Sequence, residues 1–264
     1  MGSVVAAIMT MGAIGLFFSV IISVAYQKLK VEVDPRVEEI LDVLPGANCG
    51  ACGYPGCANY ADAIVKGAPV NRCSVGGMEV AEAIARIMGV SAESIVRKVA
   101  RVRCRGDRER AVWISEYVGI QSCAAAHLAA GGGKLCNYGC LGFGDCERAC
   151  PFGAIRVNER GVAEVDENVC IGCGLCVQTC PRGIITLEPV DKRVLVFCVS
   201  QDSGKVAKKA CKVACIGCGL CAKKSPDAIV VENNCARVVD ADKVTDESIE
   251  KCPTGAIVRL GSRN

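Results

Sequence analysis

Aromatic residues are scarce: one Trp, five Tyr and five Phe make up 4% of 264 residues, so no large core built on rings is expected. There is a single histidine, His127, and a lone His reads as structural rather than as a metal ligand or general base. No phosphate-cradling glycine loop, dinucleotide fingerprint or nucleophile–base arrangement occurs, which removes the recognisable routes to nucleotide or flavin binding. Charge is absent altogether before Lys28. The chain is nonetheless not disordered, because 51% of its residues are apolar and 22% are charged. Its length allows two domains or several small ones. What it has in excess is cysteine, 21 residues. That density means disulfides, zinc or iron–sulfur clusters.

The charge-free start contains a run from Val4 to Ala25 in which 17 of 22 residues are apolar and the rest are Gly, Ser or Thr. At about 1.5 Å per residue it can cross a hydrocarbon core of roughly 30 Å. A basic leader and a small-residue cleavage site are both missing, so a retained anchor over 1–27 is expected rather than a cleaved signal. Lys28, Lys30 and Arg36 follow it, and the positive-inside rule leaves the rest of the chain on the cytoplasmic side of the inner membrane. That side is reducing, which favours free thiolates and clusters over disulfides. Gly12, Gly15, Ser19 and Ser23 share one face on which membrane helices can approach closely. Ordinary tolerance of small residues is the competing reading.

The cysteines fall into motifs. Cys49, Cys52, Cys57 and Cys73 are spaced C-x2-C-x4-C-x15-C, the first three on a Gly- and Pro-rich loop that can curl around one centre. Zinc is the alternative there, although zinc sites more often show two paired C-x2-C arms. Cys170, Cys173, Cys176 and Cys180-Pro181 form C-x2-C-x2-C-x3-C-P, the bacterial ferredoxin run, whose last Cys ligates the other cluster of a pair. The partner motif lies upstream: Cys136, Cys140, Cys146 and Cys150-Pro151. Crossing the fourth ligands gives one cluster on Cys136, Cys140, Cys146 and Cys180, and another on Cys170, Cys173, Cys176 and Cys150.

The heptapeptide CIGCGLC recurs at Cys215, Cys218 and Cys221, but Ser225 stands where the fourth Cys is due, and no Cys occurs from Val244 to Lys251 before Cys252-Pro253. The two departures explain each other: one cluster is lost, and the survivor uses Cys215, Cys218, Cys221 and Cys252. After each motif-ending Cys-Pro, or Ser-Pro in the third motif, the chain turns into a β-prone run such as Ile184-Ile185-Thr186-Leu187, the mark of an internal repeat. Cys104, Cys123, Cys198, Cys211 and Cys235 are left over and read as small buried hydrophobes. Cys211, four before Cys215, can compete as a ligand, but no spacing supports a fifth cluster.

The expected fold is α+β. A transmembrane anchor (1–27) leads into a small helical [4Fe-4S] domain (28–103) and a connector (104–135) rich in glycine at its end. A two-cluster ferredoxin-like domain of β-α-β units (136–190) and a degenerate one with one cluster (191–264) complete it. Helices are expected over Ala58–Lys66 and Glu79–Met88, and another behind an N-cap at Ser91 toward Arg101. The formal charge of +3 treats cysteine as neutral. Four clusters at about −2 each would bring it to about −5, so the balance does not speak for nucleic acid. Lys205, Lys208, Lys209 and Lys212 form a local basic stretch, either a solvated helix face or a landing place for an acidic redox partner.

The order of parts resembles the B subunits of the Rnf complexes, membrane-bound ferredoxin:NAD oxidoreductases that couple electron flow to sodium or proton transport. The distinguishing pieces are Cys49 to Cys73 together with Lys134-Leu-Cys-Asn-Tyr-Gly-Cys-Leu-Gly-Phe-Gly-Asp-Cys146, and the likeness covers nearly the whole chain. Ser225 departs from the fullest motif set, so cluster number does not carry over. The resemblance implies reduced ferredoxin as donor and the other membrane and peripheral subunits as partners, while the sixteen paired-off thiolates predict four [4Fe-4S] clusters as the wire. Ion coupling and NAD reduction come from the resemblance alone. Two other readings stand beside it: a component of a membrane system that reduces a redox-sensing transcription factor, and a non-catalytic metal-binding membrane scaffold.

Overall fold

The computed structural model describes residues 2–29, 34–92, 94 and 96–261, so Lys30, one of the charges used to orient the anchor, lies outside them. Helix α1, Gly2–Leu29, is 28 residues long. Its window Ile8–Tyr26 has a mean hydropathy of 2.2, and none of it is buried against the rest of the chain. Ile8, Met11, Leu16 and Ile22 all stand exposed. Two of its hydroxyls are satisfied within the helix: Thr10 Oγ1 donates to Ala6 O at 3.0 Å and Ser19 Oγ to Gly15 O at 2.8 Å.

Three helices follow, α2 Pro35–Val43, α3 Cys57–Val65 and α4 Gly77–Met88. Asp34 caps α2, and Pro35 sits in its first turn, where the missing N–H has no helical partner to lose. Gly89 ends α4 in the left-handed conformation, φ 68°. The apolar faces meet around Ile40, Tyr60, Ile64 and Ile84. The Tyr60 hydroxyl ties this core together, donating to Pro69 O at 2.8 Å and accepting from Arg72 N at 3.0 Å.

The rest consists of two units of one topology. The first has β1 Lys98–Val102, α5 Cys123–Leu128, α6 Asp145–Arg148, β2 Ile155–Val157, β3 Ala163–Val165, α7 Leu175–Thr179 and β4 Ile185–Pro189. The second has β5 Val194–Val196, α8 Gly204–Ala210, α9 Leu220–Lys224, β6 Ile229–Glu232, β7 Cys235–Val238, α10 Asp246–Glu250 and β8 Ile257–Arg259. In each, the first and last strands pair antiparallel and enclose a hairpin: β1 with β4 and β2 with β3, then β5 with β8 and β6 with β7. Even the bond beyond the outer pair repeats, Arg103 N to Ile184 O in one unit and Phe197 N to Ala256 O in the other. Each unit has its own small apolar core, around Val99, Ile155 and Ile184 in the first and Val194, Val196 and Ile229 in the second.

Two expectations from the sequence are corrected here. Among the described residues from Ser91 to Arg101 there is no helix, because Val99 and Val102 are buried in strand β1 on the first ferredoxin core. Their β-branched side chains and the β4 partner outweigh a local capping signal. The boundary expected at 103 therefore falls before residue 98. Residues 104–135 are not a free connector either: Ala111 bridges to Cys211 and Trp113 to Lys134, which ties the two units together.

Replacing Tyr60 with Phe leaves the Arg72 N–H and the Pro69 carbonyl without their partner. The expected cost is about 1–3 kcal/mol to the small helical domain, measured as a lower midpoint in chemical denaturation of the full chain.

Candidate iron–sulfur centres

All 21 cysteines are free thiols. Among the described residues no three His, Cys, Asp or Glu side chains converge tightly enough for a single metal ion. A zinc ion with Zn–S near 2.3 Å would need such convergence. The sulfurs instead surround cavities.

In the helical domain, Asn48 (φ 46°) and Gly50 (φ 72°) turn the loop that carries Cys49 and Cys52. Asn48 Oδ1 accepts from Cys57 N at 2.9 Å, fixing that cysteine at the start of α3. Cys73 is buried and accepts from Gly76 N at 3.4 Å. Burial raises the Cys73 pKa, and the charges of Cys57 and Cys49 raise it further. Tyr60, pushed up to about 12 chiefly by burial, feels Cys73 and Cys52 as well. Cys52, Cys57 and Cys73 all pack on the core of the helical domain.

Four further cavities have nearly equal atom-free volumes, and each is ringed by four cysteines. Cys150, Cys170, Cys173 and Cys176 line one of about 340 Å³. Cys123, Cys140, Cys146 and Cys180 line one of about 360 Å³. Cys215, Cys218, Cys221 and Cys252 line one of about 370 Å³. Cys104, Cys136, Cys198 and Cys211 are among the residues around a fourth, of about 350 Å³. Local structure aims three of the ligands alike. Cys146, Cys176 and Cys221 are each the second residue of a short helix whose cap is a left-handed glycine, Gly144, Gly174 and Gly219.

Backbone N–H groups point at the sulfurs, as they do toward cluster thiolates. Ala100 N donates to Cys170 Sγ at 3.4 Å, Ala154 N to Cys150 Sγ at 3.4 Å and Ala236 N to Cys215 Sγ at 3.3 Å. Burial pushes the thiols of Cys140 and Cys176 up to about 11 and that of Cys146 up to about 12. Such groups are protonated at neutral pH unless a metal holds the thiolate.

The quartet expected to be Cys136, Cys140, Cys146 and Cys180 is regrouped: Cys123, from the start of α5, lines that cavity and Cys136 lines another. The reason lies in the motif. Cys140-x5-Cys146 has Phe143 where Cys215-x5-Cys221 has Cys218, so the middle sulfur must come from elsewhere. Cys123 escaped the sequence reading because it arrives from a distant insertion. Asp145 holds it there, accepting from Ser122 Oγ at 2.9 Å and Ala124 N at 3.0 Å.

At the lost motif the structure shows what replaced the sulfurs. Ser225 Oγ lies 2.7 Å from Ser248 Oγ and 3.1 Å from Thr245 Oγ1, and Ser248 Oγ donates to Cys221 O at 3.2 Å. A buried hydroxyl cluster under α10 fills the place.

Cysteine quartets on ferredoxin topology, with N–H groups turned to sulfur, define a multi-centre iron–sulfur electron-transfer protein. A family model described as "Putative Fe-S cluster" matches residues 44–75, and two described as "4Fe-4S dicluster domain" match residues 135–184 and 169–230. The chain is 47% identical to the B subunit of the proton-translocating ferredoxin:NAD(+) oxidoreductase complex of Clostridium ljungdahlii, over 99% of this chain and 94% of that one. It is 45% identical to the Na(+)-translocating counterpart of Acetobacterium woodii, over 94% and 75%. For the B subunit of the ion-translocating oxidoreductase complex of Methanosarcina acetivorans the figures are 37%, 95% and 96%. The chain belongs to this family, the B subunits of ion-translocating ferredoxin:NAD+ oxidoreductase (Rnf) complexes.

Ser225→Cys puts back one sulfur where the neighbouring ligands are hydroxyls. Iron per chain is expected to stay at the wild-type value by colorimetric assay; a gain of about four iron atoms would contradict this account of the lost motif.

Proposed function

We propose that this chain takes electrons from reduced ferredoxin on the cytoplasmic face and relays them through [4Fe-4S] clusters into the membrane part of an ion-translocating ferredoxin:NAD+ oxidoreductase. The row of cysteine quartets carries the reading. One cluster each is assigned to Cys49, Cys52, Cys57 and Cys73; to Cys150, Cys170, Cys173 and Cys176; to Cys140, Cys146 and Cys180 with Cys123; and to Cys215, Cys218, Cys221 and Cys252. Bound clusters supply one-electron redox chemistry. The chain supplies the thiolates, the N–H groups that tune potential, and apolar walls such as Ile184, Ile185 and Leu141 that keep water off the sulfurs.

The quartets are neighbours in an order. Cys49 lies near enough for its charge to raise the Cys173 pKa, after burial, and Cys176 acts likewise on Cys146. The Cys49 end follows α1 and α2 directly and is the membrane end, with α1 spanning the bilayer and Lys28 and Arg36 on its cytoplasmic side. At the other end is Cys218, the exposed cysteine of the chain. Helix α8 lies against its loop: a Cβ on Gly204 would come within 2.5 Å of Ile216 O. Lys205, Lys208, Lys209 and Lys212 are exposed there, a positive rim for a negatively charged iron–sulfur donor.

Anaerobic full-length protein in detergent, mixed with reduced ferredoxin, is expected to lose its visible absorbance. Lys208→Glu combined with Lys209→Glu should slow that reaction about tenfold at low salt and much less at high salt, with iron content unchanged. A chain bleached by dithionite but not by ferredoxin would remove ferredoxin as the donor.

A further inference from the structure

We propose that Cys104, Cys136, Cys198 and Cys211 hold a fifth [4Fe-4S] cluster, seated between the two ferredoxin units. The proposal rests on the cluster reading above and extends it to four thiols that ferredoxin-motif spacing does not group.

The first argument is the repeat. Each unit contributes the same two cysteines. Cys104 stands two residues beyond the end of β1 at Val102, and Cys198 two beyond the end of β5 at Val196. Cys136 precedes Cys140 by four residues, and Cys211 precedes Cys215 by four. The first cysteine of each pair accepts a backbone N–H: Cys140 N donates to Cys104 Sγ at 3.3 Å and Ser200 N to Cys198 Sγ at 3.5 Å. Two loops of each unit thus bring four equivalent sulfurs to one cavity, of the same size as the three other cysteine-ringed ones.

The second is closeness. A Cβ on Gly106 would lie 3.0 Å from Cys211 Sγ and 3.7 Å from Cys104 Sγ. The segment 111–113 stitches the two halves at this point, with Val112 N donating to Ala210 O and Leu135 N to Val112 O, both at 2.9 Å.

The third is an unbalanced charge. Lys134 is 3% exposed. Its ammonium donates to Gly106 O and to Cys140 O and lies 5.2 Å from the centre of the Trp113 ring. Among the described residues no carboxylate pairs with it. A buried cation needs a counter-charge. A cluster on four thiolates beside it, at about −2, provides one.

The remaining cysteine completes the assignment. Ala236 pairs with Val231 across its hairpin as Ala163 pairs with Val157, so Cys235 occupies the place of Val162 in the other unit. It is a wall residue of similar size and shape, and five quartets use the other 20 cysteines. The fifth centre lies between the Cys140 and Cys215 quartets and makes the row continuous.

Iron and acid-labile sulfide on anaerobic full-length protein should come to about 20 of each per chain. Cys198→Ala combined with Cys211→Ala should lower both to about 16, whereas Cys235→Val should leave them at about 20. Cys136→Ala and Cys180→Ala together should remove about 8 iron atoms because they serve different centres, against about 4 for Cys123→Ala with Cys180→Ala. A wild-type count near 16, or equal losses from those two pairs, would overturn the proposal and leave the other clusters standing. A count near zero would overturn both. Should a variant fail to accumulate, the wild-type count alone decides between about 20 and about 16.

Discussion

Crowded sulfur is the constraint around which the two ferredoxin units are arranged. Their apolar cores are small, held by two-stranded sheets of three to five residues and helices of four to seven, too little on their own to fix a chain of this length. Thiols gather around cavities and, through burial, resist ionisation. Metal coordination turns both features into stability, since binding that requires the folded arrangement is folding free energy. The glycine-capped helix starts at Gly144, Gly174 and Gly219, the Cys-Pro turns and the N–H groups aimed at sulfur all serve that one demand.

The internal repeat shows how a cluster protein changes without losing its frame. One unit has Ser225 where the motif calls for a cysteine, and the hydroxyls of Ser225, Thr245 and Ser248 satisfy one another there. The other has Phe143 at the place of Cys218, and Cys123, from an insertion pinned by Asp145, lines that cavity. In both cases the strand pairs and the sheet register stay the same. The relatives in Clostridium and Acetobacterium carry names that differ in the ion translocated, which fits a subunit whose own residues are devoted to electrons.

Much of this was legible in the sequence. The apolar run before Lys28, the three C-x2-C-based motifs, the repeat and the Ser at position 225 are all plain in residue spacing, because covalent neighbours set loop geometry. Strand β1 was not legible: Ser91 offers a local helix start, while the partner that makes 98–102 a strand lies at 185–189, far along the chain. The cavity that Cys136 lines was not legible for a related reason. Cysteines four residues apart read as one motif, yet Cys136 and Cys140 line different cavities. The equal offsets of Cys136 and Cys211, and Phe143 opposite Cys218, were the signals at hand. Read singly, Cys104, Cys123, Cys198 and Cys211 looked like ordinary buried thiols, and only their shared cavities set them apart.

The central claim is that bound clusters, more than apolar burial, hold the two units in their fold. Hydrogen–deuterium exchange on the full chain, before and after anaerobic removal of iron with a chelator, tests it most directly. Protection of the amides in β1–β4 and β5–β8 should collapse in both units once the iron is gone, while the strapped core around Tyr60 loses less. Unchanged protection in the iron-free protein would contradict the account.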